Sequence, residues 1–254
     1  MPDGITLHNA DCFEVFKGIE DKSIDLILTD PPYGCQFNDD GLAARWEAAV
    51  NKGPIGETRP IIGDGKEAVD IFGRFLNEAA RVLKPGCCCC CCCGGGGPDP
   101  LFAKWTLLMD EVLNFKQMVV WDKGKIGMGW HYRRSYETVL VGFKKGAPCR
   151  WFDNSHMVEN IIRPGDYGIK KIIPTKKQHP TTKPVALMAH FIRLHSMPGD
   201  VILDPFMGGG TTGVACVNMD RQFIGVELAP EFYEMAEKRI ENAVRNRQHS
   251  LELV

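Results

Sequence analysis

Hydrophobic and polar positions along this chain switch between two periods, and the switches outline a series of strands and helices. Residues 5–8 predict a short strand and Asp11 to Gly18 a short helix. Ser23-Ile24-Asp25-Leu26-Ile27-Leu28 is an almost unbroken apolar run and predicts a buried strand over 24–29. Phe72, Phe75, Leu76, Ala79, Ala80 and Leu83 recur at helical spacing until Lys84-Pro85-Gly86 stops the helix. Leu101, Trp105, Leu108, Met109 and Val112 predict another helix, and Gln117–Trp121 and Tyr136–Phe143 predict strands. Helical spacing returns at Leu187, Met188, Phe191, Ile192 and His195, with Pro184 near the helix start. A strand over Asp200–Leu203, a glycine turn, a helix from about Thr211, a strand over Gln222–Val226 and a last helix after Pro230 complete the series. Strands that alternate with helices in this way predict an α/β protein built on a doubly wound, mostly parallel sheet.

Two stretches lack such a pattern. Residues 34–65 form a long loop insertion rich in Gly, Asn and Asp, with one candidate helical patch, GLAARWEAAV. A connection of this length inside a compact domain is usually functional or disordered. Residues 147–178 carry many basic side chains and the aromatics Trp151, Phe152 and Tyr167. A chain of 254 residues accommodates one large α/β domain or two small ones.

Composition narrows the class. Apolar residues at 44% and charged residues at 24% suit a soluble globular protein. No apolar run approaches the roughly 20 residues of a membrane span. The opening MPDGITLHNADC has neither the basic nor the apolar region of a secretory signal, so a cytoplasmic location is expected. Seven of the eleven cysteines form one block, Cys87 to Cys93. On a strand, successive thiols point to opposite faces and cannot converge on one metal, so the block predicts a buried central strand of small apolar side chains. No metal is expected.

The net charge of −2 conceals an asymmetry. Between Asp122 and Arg193 there are 14 Lys and Arg against 5 Asp and Glu, a local balance of +9, which leaves −11 for the rest. A solvated face explains such a balance, and so does a polyanion surface.

Two constellations carry chemistry. The first is Thr29-Asp30-Pro31-Pro32-Tyr33-Gly34, at the end of a predicted strand. Its prolines donate no backbone hydrogen bonds and push Asp30 toward an extended conformation; alone, the stretch reads equally as a strand-ending turn. The second, VILDPFMGGGTT at 201–212, is a strand, an acid and three glycines opening a helix, followed by a strand that ends on Glu227. Glycines at a helix start let a backbone approach a ligand, and an acid about 20 residues on suits ribose hydroxyls. The GxxxxGK[ST] phosphate loop is not present, which points to an adenosine cofactor without a polyphosphate.

Asp30-Pro31-Pro32-Tyr33 resembles the catalytic tetrapeptide of S-adenosylmethionine-dependent DNA amino-methyltransferases. Asp204-Pro205-Phe206-Met207-Gly208-Gly209-Gly210-Thr211-Thr212 resembles their cofactor motif, and HPTTKP at 179–184 the segment that precedes it. The order, catalytic motif first and cofactor motif near the C-terminus, resembles the family's β group. The resemblance implies a single circularly permuted, Rossmann-like methyltransferase domain over 1–254, with 147–178 as a candidate target-recognition segment.

It also implies roles. Asp30 and the main chain near Pro31 would accept the two N–H bonds of an exocyclic amino group, Pro32 would help hold that geometry, and Tyr33 would stack on the extruded base. The amino nitrogen would take the methyl group in line, with no covalent cysteine intermediate. Asp204, Phe206, Gly208, Gly210 and Thr211 would line S-adenosylmethionine, and Glu227 would bond its ribose. Lys183 would lie near the methionine end, or be a surface lysine; Asp11 would touch the adenine ring, or be a helix N-cap. Arg133, Arg134, Lys170 and Lys171 are candidates for DNA phosphates, each also readable as a solvated charge. The implied partner is double-stranded DNA, with a homodimer left open and neither membrane nor metal expected. Asp at the first tetrapeptide position leans toward adenine N6, and Ser toward cytosine N4. An inactive cofactor-binding module is the alternative of a different class.

Overall fold

The computed structural model describes residues 4–32, 67–93, 101–126, 131, 133, 135–170 and 183–252. Tyr33, Arg134, Lys171, the 34–65 insertion with its helical patch, and the turn at Gly94–Gly97 lie outside the described residues. In chain order the elements are β1 (Ile5–Asn9), α1 (Cys12–Phe16), β2 (Ile24–Thr29), α2 (Ala68–Val82), β3 (Leu83–Cys93), α3 (Leu101–Val112) and β4 (Asn114–Asp122). There follow β5 (Tyr136–Phe143), β6 (Ile161–Ile162), α4 (Val185–His195), β7 (Val201–Asp204), α5 (Thr211–Asn218), β8 (Gln222–Glu227) and α6 (Pro230–Glu252).

The strands form one sheet in the order β1-β8-β7-β2-β3-β5-β4-β6. From β1 to β3 every neighbouring pair is parallel; β5 runs antiparallel between β3 and β4, and β6 lies parallel to β4. Helices cover both faces, as the alternation of strands and helices predicts. One core layer joins Phe16, Phe72, Phe75 and Trp105 of α1, α2 and α3. The other joins Leu187, Phe191, Ala215 and Ile240 of α4, α5 and α6. No described helix is long and apolar enough to cross a membrane.

The cysteine block is a buried central strand, as expected. Cys88, Cys90 and Cys92 face the α4–α6 layer, while Cys87, Cys89, Cys91 and Cys93 face the other, the two-residue period of a strand. The strand starts earlier than the Lys84-Pro85-Gly86 stop suggests. Ile24 pairs with Leu83 and Leu26 with Cys88, so these three residues bulge out of the ladder. Gly86 sits there at φ 81°, and a Cβ on it would meet the Pro148 carbonyl oxygen at 2.3 Å. Two further elements escape the hydrophobic pattern: β6 is only two residues long, and the 3₁₀ turn Asp166–Gly168 has no apolar periodicity.

Asp25, near the start of β2, is a buried acid inside an apolar strand. Its carboxylate receives Lys84 Nζ at 2.7 Å, Arg150 Nη1 at 2.7 Å and the Val201 backbone N–H at 3.1 Å. Arg150 continues to Asp200 Oδ2 at 2.7 Å. The network ties β2, β3, β7 and the 147–152 segment at the edge where the parallel strands begin. Removing one member of a buried pair strands the others, while the part-exposed lysine and arginine moderate the cost. Asp25→Asn is expected to destabilise the protein by about 2–3 kcal/mol, read as a lower urea midpoint; an unchanged midpoint would show that the network contributes nothing net.

Candidate active site

The C-terminal ends of β2 and β7 lie side by side, since Leu26 pairs with Ile202 and Ile27 with Leu203. Asp30 follows β2 and Asp204 ends β7. Thr29 Oγ1 donates to Asp204 Oδ1 at 2.7 Å and so joins the two ends directly. The Phe206 backbone N–H donates to the same oxygen at 3.2 Å. Burial pushes the Asp204 carboxyl up to about 7; its bonds from Thr29, Thr212 and the Phe206 N–H pull it back, and the charge of Asp30 raises it further.

The glycine turn begins at Asp204. Gly208 and Gly210 take φ 49° and 74°, conformations that side chains with a Cβ resist. A Cβ on Gly210 would also meet Ala236 Cβ of α6 at 2.8 Å. Glu227, at the end of β8, braces the turn: Oε2 accepts from the Gly208 N–H at 2.9 Å and Oε1 from the Ala229 N–H at 2.9 Å. Burial raises its carboxyl, and these backbone donors offset part of the rise. From α6, Arg239 donates to the Gly209 carbonyl and lies 3.4 Å from Thr211 Oγ1. Thr211 and Thr212 are buried, and Phe206 packs edge-on against Phe75 at 5.7 Å between ring centroids.

Lys183 stands just before α4 with only 6% of its side chain exposed, so it is no surface lysine. Its Nζ lies 2.5 Å from Asp30 Oδ2 and 3.4 Å from Glu137 Oε2. Glu137 Oε1 in turn accepts from Lys123 Nζ at 2.9 Å. Burial works against the charge on Lys183, but Asp30 and Glu137 outweigh it and hold the ammonium above its ordinary range. Asp11 caps α1, accepting from the Phe13 N–H at 2.8 Å, and the neighbouring Ala10 N–H donates to the Glu227 carbonyl at 3.2 Å. The cap is therefore formed, at the rim of the same site.

Arg133 and Lys170 are exposed. Because β4 runs parallel to β3, the β4–β5 connection holding Arg133 leaves the sheet at the edge that carries Asp30. Lys170 follows β6, whose C-terminal end points the same way. Pro31 and Pro32 continue the chain beyond Asp30. Among the described residues no three His, Cys, Asp or Glu side chains gather as metal ligands would.

Three residues escape a reading of the motifs, Lys123, Glu137 and Arg239, while Thr29 stands in the first constellation without a role of its own there. Glu137 had one signal. It is a lone acid opening an apolar strand within a strongly basic stretch, and such an acid needs a cation nearby.

Residues 24–238 match the family model described as DNA methylase. This chain belongs to that family of S-adenosylmethionine-dependent DNA methyltransferases, which act on the exocyclic N6 or N4 amino groups of bases. It is 26% identical to the DNA adenine methyltransferase YhdJ of Escherichia coli (strain K12), over 94% of this chain and 83% of that protein. The crystal structure of the M1.HpyAVI–SAM complex is 27% identical, with a TM-score of 0.62, over 93% of this chain and 99% of that one. PvuII DNA methyltransferase, described as cytosine-N4-specific, shares the fold at a TM-score of 0.67 and 20% identity, over 96% of this chain and 93% of that one.

Thr29→Val keeps the shape of the β2 end but removes the donor to buried Asp204. The loss of that bond is expected to cost about 1–3 kcal/mol in unfolding free energy at pH 8, where the carboxylate must find another donor. An unchanged denaturant midpoint at that pH would show that water or Thr212 replaces the bond.

Proposed function

We propose that this protein methylates the N6 amino group of adenine in duplex DNA. The observation that carries this reading is Asp30, a carboxylate at the end of β2, held 2.5 Å from buried Lys183 and joined through Thr29 to the glycine turn. A carboxylate fixed in this way can accept an N–H bond from an amino group and help localise a nitrogen lone pair otherwise shared with the ring. Lys183 donates to Asp30 Oδ2 and fixes the carboxylate, which serves as an acceptor. The main chain at Pro31 supplies the second acceptor, and the target base is extruded from the duplex to reach both. Tyr33 stacks on the extruded base.

The turn fits S-adenosylmethionine. Gly208 and Gly210 let the turn take conformations that a Cβ resists, and Glu227 stands at the β8 end where a ribose would be met. Asp204 is a buried carboxyl whose ionisation a bound cation would favour. When bound, the cofactor supplies a methyl group on a sulfonium, open to attack by nitrogen. Asp204, Phe206, Gly208, Gly210, Thr211 and Glu227 hold it, with Asp11 at the rim. Arg133 and Lys170, with Arg134 and Lys171 beside them in the sequence, face the phosphates, and the 147–178 segment reads the target.

The adenine reading rests on Asp30 and on the likeness to an enzyme named for adenine. Cytosine, through its exocyclic N4, is another base that the same pair of acceptors could bind. Labelled methyl transfer to mixed-sequence duplex DNA, digestion to nucleosides and mass spectrometry separate them. N6-methyladenine is expected; N4-methylcytosine would keep the mechanism and replace the base. Asp30→Ala is expected to abolish transfer with S-adenosylmethionine affinity retained, and near-wild-type transfer would remove Asp30 from its role.

Cofactor binding should depend on pH. Asp204 is protonated below about 7 and ionised above it, and the ionised form attracts the cationic cofactor. With this sign, affinity rises with pH and is about tenfold weaker at pH 6 than at pH 8. Calorimetric titration across that range checks the slope, which Asp204→Asn should flatten.

A further inference from the structure

Asp30, Lys183, Glu137 and Lys123 form a line of alternating charge along the site edge of the sheet. Each comes from a different place: the end of β2, the start of α4, the start of β5 and the residue after β4. The contacts are 2.5 Å from Lys183 to Asp30, 3.4 Å from Lys183 to Glu137, and 2.9 Å from Lys123 to Glu137. Lys183 is the most enclosed of the four, with 6% of its side chain exposed against 23% for Asp30. Asp30 and Glu137, on either side, both favour its charge. Glu137 Oε2 is buried, and apart from this ionic contact it has no hydrogen-bond partner among the described residues.

We propose that Glu137 is a positioning residue that acts on Asp30 through Lys183. By taking a share of the ammonium's charge, Glu137 lets Lys183 fix the Asp30 side chain without neutralising it. Asp30 then stays a full-strength acceptor for the target amino group. Without Glu137, a larger share of the charge of Lys183 falls on Asp30 and draws the carboxylate toward the lysine, away from the position the amino group needs. Lys123 steadies the far oxygen of Glu137. This inference rests on the reading of Asp30 as the acceptor.

The charge state of Glu137 agrees with this arrangement. Burial alone would push its carboxyl up, but Lys183 and Lys123 outweigh burial and hold it below the usual carboxylate range. Cys92 of β3 is buried, and the charges of Asp30, Lys183 and Glu137 all act on its thiol, so the cluster has an apolar strand behind it.

The test is Glu137→Gln in the full chain, assayed by labelled methyl transfer to saturating mixed-sequence duplex DNA. Rates are normalised to the cofactor-binding sites counted by calorimetry. A displaced acceptor acts on the chemical step, so kcat is expected to fall about tenfold or more while the Kd for S-adenosylmethionine stays within about twofold. Glu137→Asp keeps the charge and should recover part of the rate, and Lys123→Met should cost no more than about threefold. Should Glu137→Gln fail to fold, Glu137→Asp carries the test through the same separation of kcat from Kd. A kcat within about twofold of wild type overturns the inference, as does a fall matched by weaker cofactor binding or by an equal fall in Lys123→Met. Asp30→Asn distinguishes the two readings. If it is inactive while Glu137→Gln is not impaired, only the role of Glu137 fails; if it is active, the reading of Asp30 fails as well.

Discussion

The pairing of β2 with β7 is the contact on which the site depends. The strands are distant in the chain, yet Leu26 and Ile27 lie against Ile202 and Leu203. From β2 the chain builds outward to β3, and from β7 it builds the opposite way to β8 and on beside β1. The order of the sheet therefore reverses between β2 and β7, and open α/β sheets bind ligands beyond the strand ends at such a reversal. Asp30 and Asp204 lie at that reversal because Asp30 follows the last residue of β2 and Asp204 ends β7. A stretch near one end of the sequence, Asp30-Pro31-Pro32, and a glycine turn near the other become neighbours through this one interstrand contact.

Two carboxylates at neighbouring strand ends repel unless their surroundings set them apart. Here each has a different neighbour. Asp204 is enclosed and held by hydroxyl and backbone donors, none of which brings a full charge. Asp30 is more open and has an ammonium against it. The same residue type is thereby set in two different electrostatic environments at neighbouring strand ends.

Much of this was legible in the sequence because its signals are local. DPPY, the glycine turn and the acid ending the β8 strand are each written within a few residues, and the strand-helix alternation gives the layers. The cysteine block read correctly as a central strand because a two-residue period needs no side-chain variety. What was not legible depends on distant partners. Lys183 could be a surface lysine until the fold buries it between Asp30 and Glu137. Glu137 reads as one polar position of an alternating strand until β4 and α4 bring lysines to either side. Strand β6 is held by Val120 and Trp121 rather than by a pattern of its own. The early start of β3 follows from a bulge, which depends on the partner strand as much as on Lys84-Pro85-Gly86.

The cysteine strand raises a question of alignment. In most buried strands, sliding by one residue exchanges the side chains offered to the two core layers, and the misfit penalises the slide. Seven identical side chains offer both layers the same thiol after such a slide, so the block cannot tell one alignment from the next. The information must come from its ends. At one end Lys84 reaches Asp25, and Gly86 fits against Pro148 where no larger residue could. At the other, Thr138 Oγ1 donates to the Cys93 carbonyl at 3.1 Å. The middle of the protein's central strand is thus a ruler without marks, and its flanks alone say where zero lies.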